Sequence, residues 1–175
     1  MKALVVYESM FGNTAAVADA LAEGLRRSMQ VEVHDVAEAP DPLAGDVDLL
    51  VVAAPTHALS LSRRETRAEA ILEGATHGEE VPGVREWLEA VQFTRVPVLA
   101  TVDTRATKAR HLPGSAARKA AKIAHARGLG RAAARASFYV TDTKGPLVDG
   151  ELDRAGAFGA RLAEQLSGHG HAAAG

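Results

Sequence analysis

The chain has 175 residues, 47% of them hydrophobic and 24% charged, with a formal charge of −2 and no cysteine. That length fits one domain with a real core, and the missing cysteines exclude a disulfide framework, thiolate zinc, iron–sulfur clusters and a cysteine nucleophile. Aromatic residues are scarce at 4%.

The first stretch sets the frame for the rest. Ala3–Tyr7 is a short apolar, β-branched run that predicts a strand buried on both faces. Ser9, Gly12, Asn13 and Thr14 follow, and a helical pattern with Val17, Leu21 and Leu25 on one face starts at once. Strand, hydroxyl-rich turn and helix N-terminus in that order make an anion site, because the first N–H groups of the helix have no intrahelical acceptor. The turn lacks the lysine of a triphosphate loop and the spaced glycines of a dinucleotide turn. Its neutral donors suit a single phosphate monoester. The other reading is an ordinary Gly/Asn turn that caps the helix.

Further strands are predicted at Val31–Val36, Leu49–Ala54, Val96–Val102 and Ser137–Thr141, and helices at Thr14–Met29, Gly83–Val91, Ala116–Arg127 and Glu151–Leu166. Pro40, Pro42 and Gly45 argue for a loop over Ala37–Asp46. Ser115 reads as an N-cap and Gly128 as the C-terminal glycine of the helix between them. Gly159, inside the last helix, marks close packing against the sheet. Strands alternating with amphipathic helices imply right-handed crossovers. The expected architecture is a three-layer, doubly wound, five-stranded parallel sheet of order 2-1-3-4-5, occupying residues 1–166, with 167–175 a disordered tail.

In such a sheet the ligand lies beyond the carboxyl ends of the strands, where the winding reverses. The exits of strands one, three and four are the candidates. The segment Pro55–Pro82 is far longer than an ordinary connection and carries a charged helical pattern over Arg63–Glu73, either a lid or docking element or a solvated insertion.

The pattern Ser9-x-x-Gly12-x-Thr14, with these three exits, resembles the flavodoxin family over about residues 1 to 166. The resemblance implies that Ser9, Met10, Phe11, Gly12, Asn13 and Thr14 hold the phosphate of FMN. Phe11 stands where the family commonly has a third hydroxyl residue. Pro55, Thr56, His57 and Ala58 resemble the first ring-flanking loop, and Asp103, Thr104 and Arg105 begin the second. Family members commonly sandwich the ring between a Trp and a Tyr; here the matching loop offers His57 and Leu59. An imidazolium at His57 would favour reduced, anionic flavin.

The expected function is an FMN-binding electron carrier between redox partners, a carrier more than an enzyme, with no catalytic acid or base and no metal site. Two alternatives stand beside it: a flavin-free binding or regulatory domain on the same fold, and an FMN-dependent NAD(P)H:quinone reductase. From Thr104 to Thr141 there is no acidic residue, yet nine are basic. This basic 105–135 region suits docking of an acidic partner, or merely stays solvated. Nucleic acid is not expected, because no ring lies between its charges before Phe138. No charged-then-apolar leader precedes the first strand and no apolar run reaches ~18 residues, so no membrane association and a cytoplasmic location are expected.

Overall fold

The computed structural model describes residues 1–76 and 81–172. Five parallel strands, β1 (Lys2–Tyr7), β2 (Gln30–Asp35), β3 (Leu49–Pro55), β4 (Val98–Ala106) and β5 (Ala132–Val140), form one sheet of order β2-β1-β3-β4-β5. The helices are α1 (Asn13–Arg26), α2 (Arg64–Leu72), α3 (Val84–Ala90), α4 (Ala116–Ala126) and α5 (Glu151–Ala172). Among the described residues no helix is long and apolar enough to cross a membrane.

Central β3 reads Leu-Leu-Val-Val-Ala-Ala-Pro, and its first six residues are buried. Alternate side chains enter the two cores. Val5, Val51, Ala100 and Phe138 pack with Val17, Leu21 and Leu25 of α1 and with Ala155 and Leu162 of α5. Leu4, Val6, Leu50 and Val52 meet Trp87 and Leu88 of α3 and Ala120 and Ala124 of α4 on the other face. Each fully buried Leu or Val contributes roughly 1.5–3 kcal/mol of transfer free energy, which drives the layers together.

Ser115 accepts from the Arg118 amide as the N-cap of α4, and Gly128 has φ +90° beyond its end. Between β2 and β3 there is only a single turn of 3₁₀ helix, Val36–Glu38.

Three expectations change. β4 continues to Ala106, so Asp103, Thr104 and Arg105 are strand residues rather than the start of a loop. Their polar groups find partners on neighbouring elements, which lets the ladder run on. β5 begins at Ala132, because pairing with β4 overrides the low strand preference of an alanine-rich stretch. α5 runs to Ala172, past Leu166 and into the segment expected to be a disordered tail. That stretch has no proline, and the Ser167 hydroxyl donates back to the Ala163 carbonyl at 2.9 Å. Residues 173–175 and His77 lie outside the described residues.

Gly159 marks close packing, though against α1 and not the sheet. A Cβ there would lie 2.1 Å from the Leu21 carbonyl oxygen, and one on Gly24 would lie 2.0 Å from that of Gly156. Backbone meets backbone, so neither side can yield. Gly159→Ala gains about 1 kcal/mol of helix preference but forces the helices apart, at about 3 kcal/mol or more. A net loss near 2 kcal/mol is expected in urea unfolding. A variant as stable as the parent would mean the two helices separate freely.

Candidate functional site

The turn after β1 leads straight into the N-terminus of α1. Gly12 caps α1 in the left-handed region at φ +84°, where non-glycine residues are strained. No side chain caps the helix and its first turn has no acidic residue, so its leading N–H groups remain open. The Ser9 hydroxyl is buried with no hydrogen-bond partner. An orphaned buried hydroxyl beside an open helix terminus is a donor set awaiting an acceptor.

Two neighbours, Thr76 and Lys144, brace this turn. Thr76, in the insertion, donates its amide to the Met10 carbonyl at 3.0 Å. The Asn13 side chain donates to the Lys144 carbonyl at 2.9 Å. The Lys144 ammonium stands 5.9 Å from the centre of the Phe11 ring and donates to the Glu73 carbonyl at 2.8 Å. Phe11, in place of a third hydroxyl, thus carries a cation to the rim of the turn.

After β3 the chain makes a tight hairpin. His57 and Ser60 exchange backbone hydrogen bonds of 2.9 and 2.8 Å across Ala58 and Leu59, whose φ values are 44° and 61°. Positive φ at two consecutive non-glycine residues stores strain of order 1–3 kcal/mol each. The surroundings hold it in place. Arg85 donates to the Ser60 hydroxyl and to the Leu61 and Ser62 carbonyls. Gly114 packs so tightly on Leu59 that a Cβ would lie 2.4 Å from the Leu59 oxygen.

The β4 exit closes the cleft. The Thr104 hydroxyl lies 2.8 Å from that of Thr14, tying the strand to the start of α1. Thr56 donates its amide to the Thr104 carbonyl at 2.8 Å, and its hydroxyl accepts from the Ala116 amide at 3.0 Å. Arg105 is buried, and its guanidinium donates to the Ala109 and Leu112 carbonyls, shaping the loop beyond the strand.

These exits share one cleft of about 280 Å³. Ser9, Met10, Phe11, Asn13, Thr14, Pro55, Thr56, His57, Ala58, Thr104 and Arg105 all line it. Gly12 shapes the turn through its backbone. Asp103 does not face the cleft. It is fully buried and accepts from the Ala117 amide at 2.9 Å, so it is a cap for α4. Strand side chains alternate in face, so Asp103 points to the side opposite Thr104, toward α4.

The cleft also takes Leu59, offered beside His57 in the sequence, and Ala106, Lys108, Ala109, Val140 and Thr143, which the sequence did not single out. Lys108 and Ala109 continue the β4 exit and could have been found by following that loop further. Val140 and Thr143 come from the exit of β5, which no sequence signal singled out. Lys108 pairs with Asp142 at 2.9 Å and so links the two exits.

Below the cleft lies a buried polar network. The Glu8 carboxylate, fully buried, accepts from the Ser62 hydroxyl and from the Val84 amide at 2.8 Å. Arg67 of α2, also buried, donates to Ser62 at 3.1 Å and pairs with Glu86 at 3.2 Å. The charged insertion is therefore neither a loose lid nor a wholly solvated face, because its helix sends one guanidinium into the protein.

Burial holds the His57 imidazole below its ordinary pKa of 6.5. Glu8 pulls it upward and Arg67 adds to the lowering. This disfavours the imidazolium expected beside the site. A base with a depressed folded pKa contributes stability above its unfolded value, lost as pH falls through the folded value. His57 resonances are expected to titrate below pH 6.5, with stability falling less steeply in His57→Gln on acidification from pH 7. A midpoint at or above 6.5 would mean the ring is solvated.

A family model described as Flavodoxin matches residues 5–61, from β1 through the turn after it to the β3 hairpin. No curated protein sequence matches the chain. Among solved structures, a short-chain flavodoxin associated with a non-canonical PDU bacterial microcompartment superposes with a TM-score of 0.63 at 16% identity, over 94% of this chain and 98% of that one. A flavodoxin from the domain Archaea gives 0.59 at 19%, over 95% and 99%. Oxidised flavodoxin 2 from Bacillus cereus gives 0.57 at 17%, over 94% and 99%. At these identities the likeness is one of fold.

Proposed function

We propose that this flavodoxin-like protein binds FMN in the cleft and carries electrons between redox partners. The observation that supports it most is the convergence of the orphaned Ser9 hydroxyl and the open α1 N-terminus with the strained β3 hairpin. A phosphate on the first leaves the second to flank a flat ring. Bound FMN would supply the chemistry, accepting and releasing electrons at its ring system.

The chain's own residues bind and orient. Ser9, the backbone of Gly12 and the leading amides of α1 would hold the phosphate. Pro55 to Leu59 and the Arg105–Ala109 segment would enclose the ring, with Leu59 serving where an aromatic side chain is common. An aliphatic contact lacks the ring–ring term of about 0.5–1.5 kcal/mol, so flavin should be held less tightly than by a stacked pair. The test is direct. Purified protein mixed with FMN should quench flavin fluorescence with one-to-one stoichiometry and yield a reversible reduction wave. Unquenched fluorescence would leave a flavin-free binding domain as the reading.

The partner would meet the mouth of the cleft, where Lys108 and Ala109 form the rim and Arg110 follows in the chain. Arg110 lies 5.1 Å above the Tyr139 ring. Opposite charge on the partner would speed encounter, and salt would screen it over ~8–10 Å. Electron exchange with an acidic partner should slow with rising salt, and Arg110→Glu should slow it at low salt without changing FMN affinity. Rates indifferent to both would place docking elsewhere.

A further inference from the structure

We infer that a groove between α4 and the open edge of β5 docks an extended acidic segment of a partner protein. The inference uses no feature of the cleft, so it stands or falls independently of FMN binding.

The groove, of about 430 Å³, is walled by Arg118, Lys122 and His125 from α4 and by Arg131 and Arg135 from the β5 side, over alanines. Elsewhere Arg67, Arg95, Lys108 and Arg154 each meet a carboxylate. Here, among the described residues, no carboxylate pairs with Lys122, His125, Arg131 or Arg135. Arg118 spends one N–H on the Pro113 carbonyl at 2.8 Å, leaving the rest of its fork. Converging like charges repel, and an anion supplied from outside relieves them.

The backbone adds a second, independent feature. β5 is a sheet edge, and the protein covers only its later half. Val148 donates to the Tyr139 carbonyl at 2.9 Å, Glu151 accepts from the Tyr139 amide at 2.7 Å, and Arg154 donates to the Ser137 carbonyl. Tyr139 thus turns its peptide groups outward, and Arg135, at the same parity along the strand, does so too. The uncovered part of the edge is the part flanked by the basic side chains. An extended peptide satisfies both at once, with strand-edge hydrogen bonds and alternating acidic side chains. A nucleic acid fits less well, because alanines and not rings separate the charges. A basic edge also discourages pairing between copies of one chain, and that alone is what remains if nothing binds.

The probe is a fluorescein-labelled peptide of about twelve alternating Glu and Thr residues, long enough to follow an edge strand, read by anisotropy at low salt. Binding is expected, weakening about tenfold between low and physiological ionic strength. The double variant Arg131→Glu/Arg135→Glu should bind about tenfold more weakly again. Both positions are exposed, so its melting temperature should match the parent's. Hydrogen exchange at the Arg135 amide should slow in the complex. Absence of binding, equal binding of an oligothymidylate, indifference to the charge reversal, an Arg135 amide that still exchanges freely, or self-association of the chain through this groove would each overturn the inference.

Discussion

FMN should bind this chain about 100-fold more tightly than riboflavin, since a phosphate here gains two or more charge-assisted bonds of about 1.5–3 kcal/mol each. The prediction rests on where those donors are. Ser9 is buried with its hydroxyl unpartnered, and α1 begins with no side-chain cap. Ser9→Ala then separates two effects. In the free protein it removes a buried polar group that bonds to nothing, so stability should hold or rise slightly. In the complex it removes a donor, so FMN affinity should fall about tenfold, with riboflavin affinity unchanged. Gly12→Val tests the same turn differently. A Cβ there meets no protein atom within 4 Å, so the open space is on the ligand side. The φ of +84° adds strain of roughly 1–2 kcal/mol. FMN binding should be lost, with only that modest loss of stability. Equal affinities for FMN and riboflavin in the parent would reduce the turn to a cap for α1.

The sheet was legible because its central strands are apolar without interruption. Leu49–Ala54 and Ala3–Val6 can only be buried, and their alternation with amphipathic helices leaves few topologies. The turn after β1 was legible as a turn, because small, turn-prone residues separate an apolar strand from an amphipathic helix. What escaped depended on partners distant in sequence. Asp103 reads as a cleft carboxylate until the Ala117 amide is seen to take it. Ala132–Ala136 has weak strand preference, and only the pairing offered by β4 makes it a strand. Val140 and Thr143 enter the cleft because β5 lies beside β4, which local sequence cannot express. Arg67 sat in a run of mixed charge typical of a solvated face. Its burial follows from Ser62 and Glu86 meeting it, with Ser62 in turn held by Glu8.

That meeting carries the largest expected effect on stability. Arg67→Met should lower stability by about 3–5 kcal/mol, the range for breaking a buried ionic pair by removing one partner. Methionine fills similar space, so the loss reports charge more than volume. The geometry is tight. A Cβ built on Gly83 would lie 2.7 Å from both the Arg67 guanidinium and the Glu8 carboxylate, so the two groups meet over one point of backbone. Without Arg67, Glu8 keeps Ser62 and the Val84 amide but loses the nearest buried cation. Glu86 reports the same change from its exposed side. Burial would raise its carboxyl, but the Arg67 guanidinium and the backbone amides outweigh this and hold it below 4.5. Its stabilising contribution is therefore full above that value and lost as pH falls through the lowered one. In Arg67→Met the contribution shrinks, so the difference between parent and variant should narrow in acid. The double variant Glu8→Gln/Arg67→Met should recover part of the loss, because it also removes the buried carboxylate that Arg67→Met leaves without a nearby cation. The turn after β1 should feel it too, since the insertion that Arg67 anchors also bonds to that turn, through the Thr76 amide on the Met10 carbonyl. FMN affinity should fall in Arg67→Met even where the protein is fully folded. A urea midpoint within error of the parent's, with unchanged affinity, would mean that α2 rests on the surface and that the network beneath it holds nothing in place.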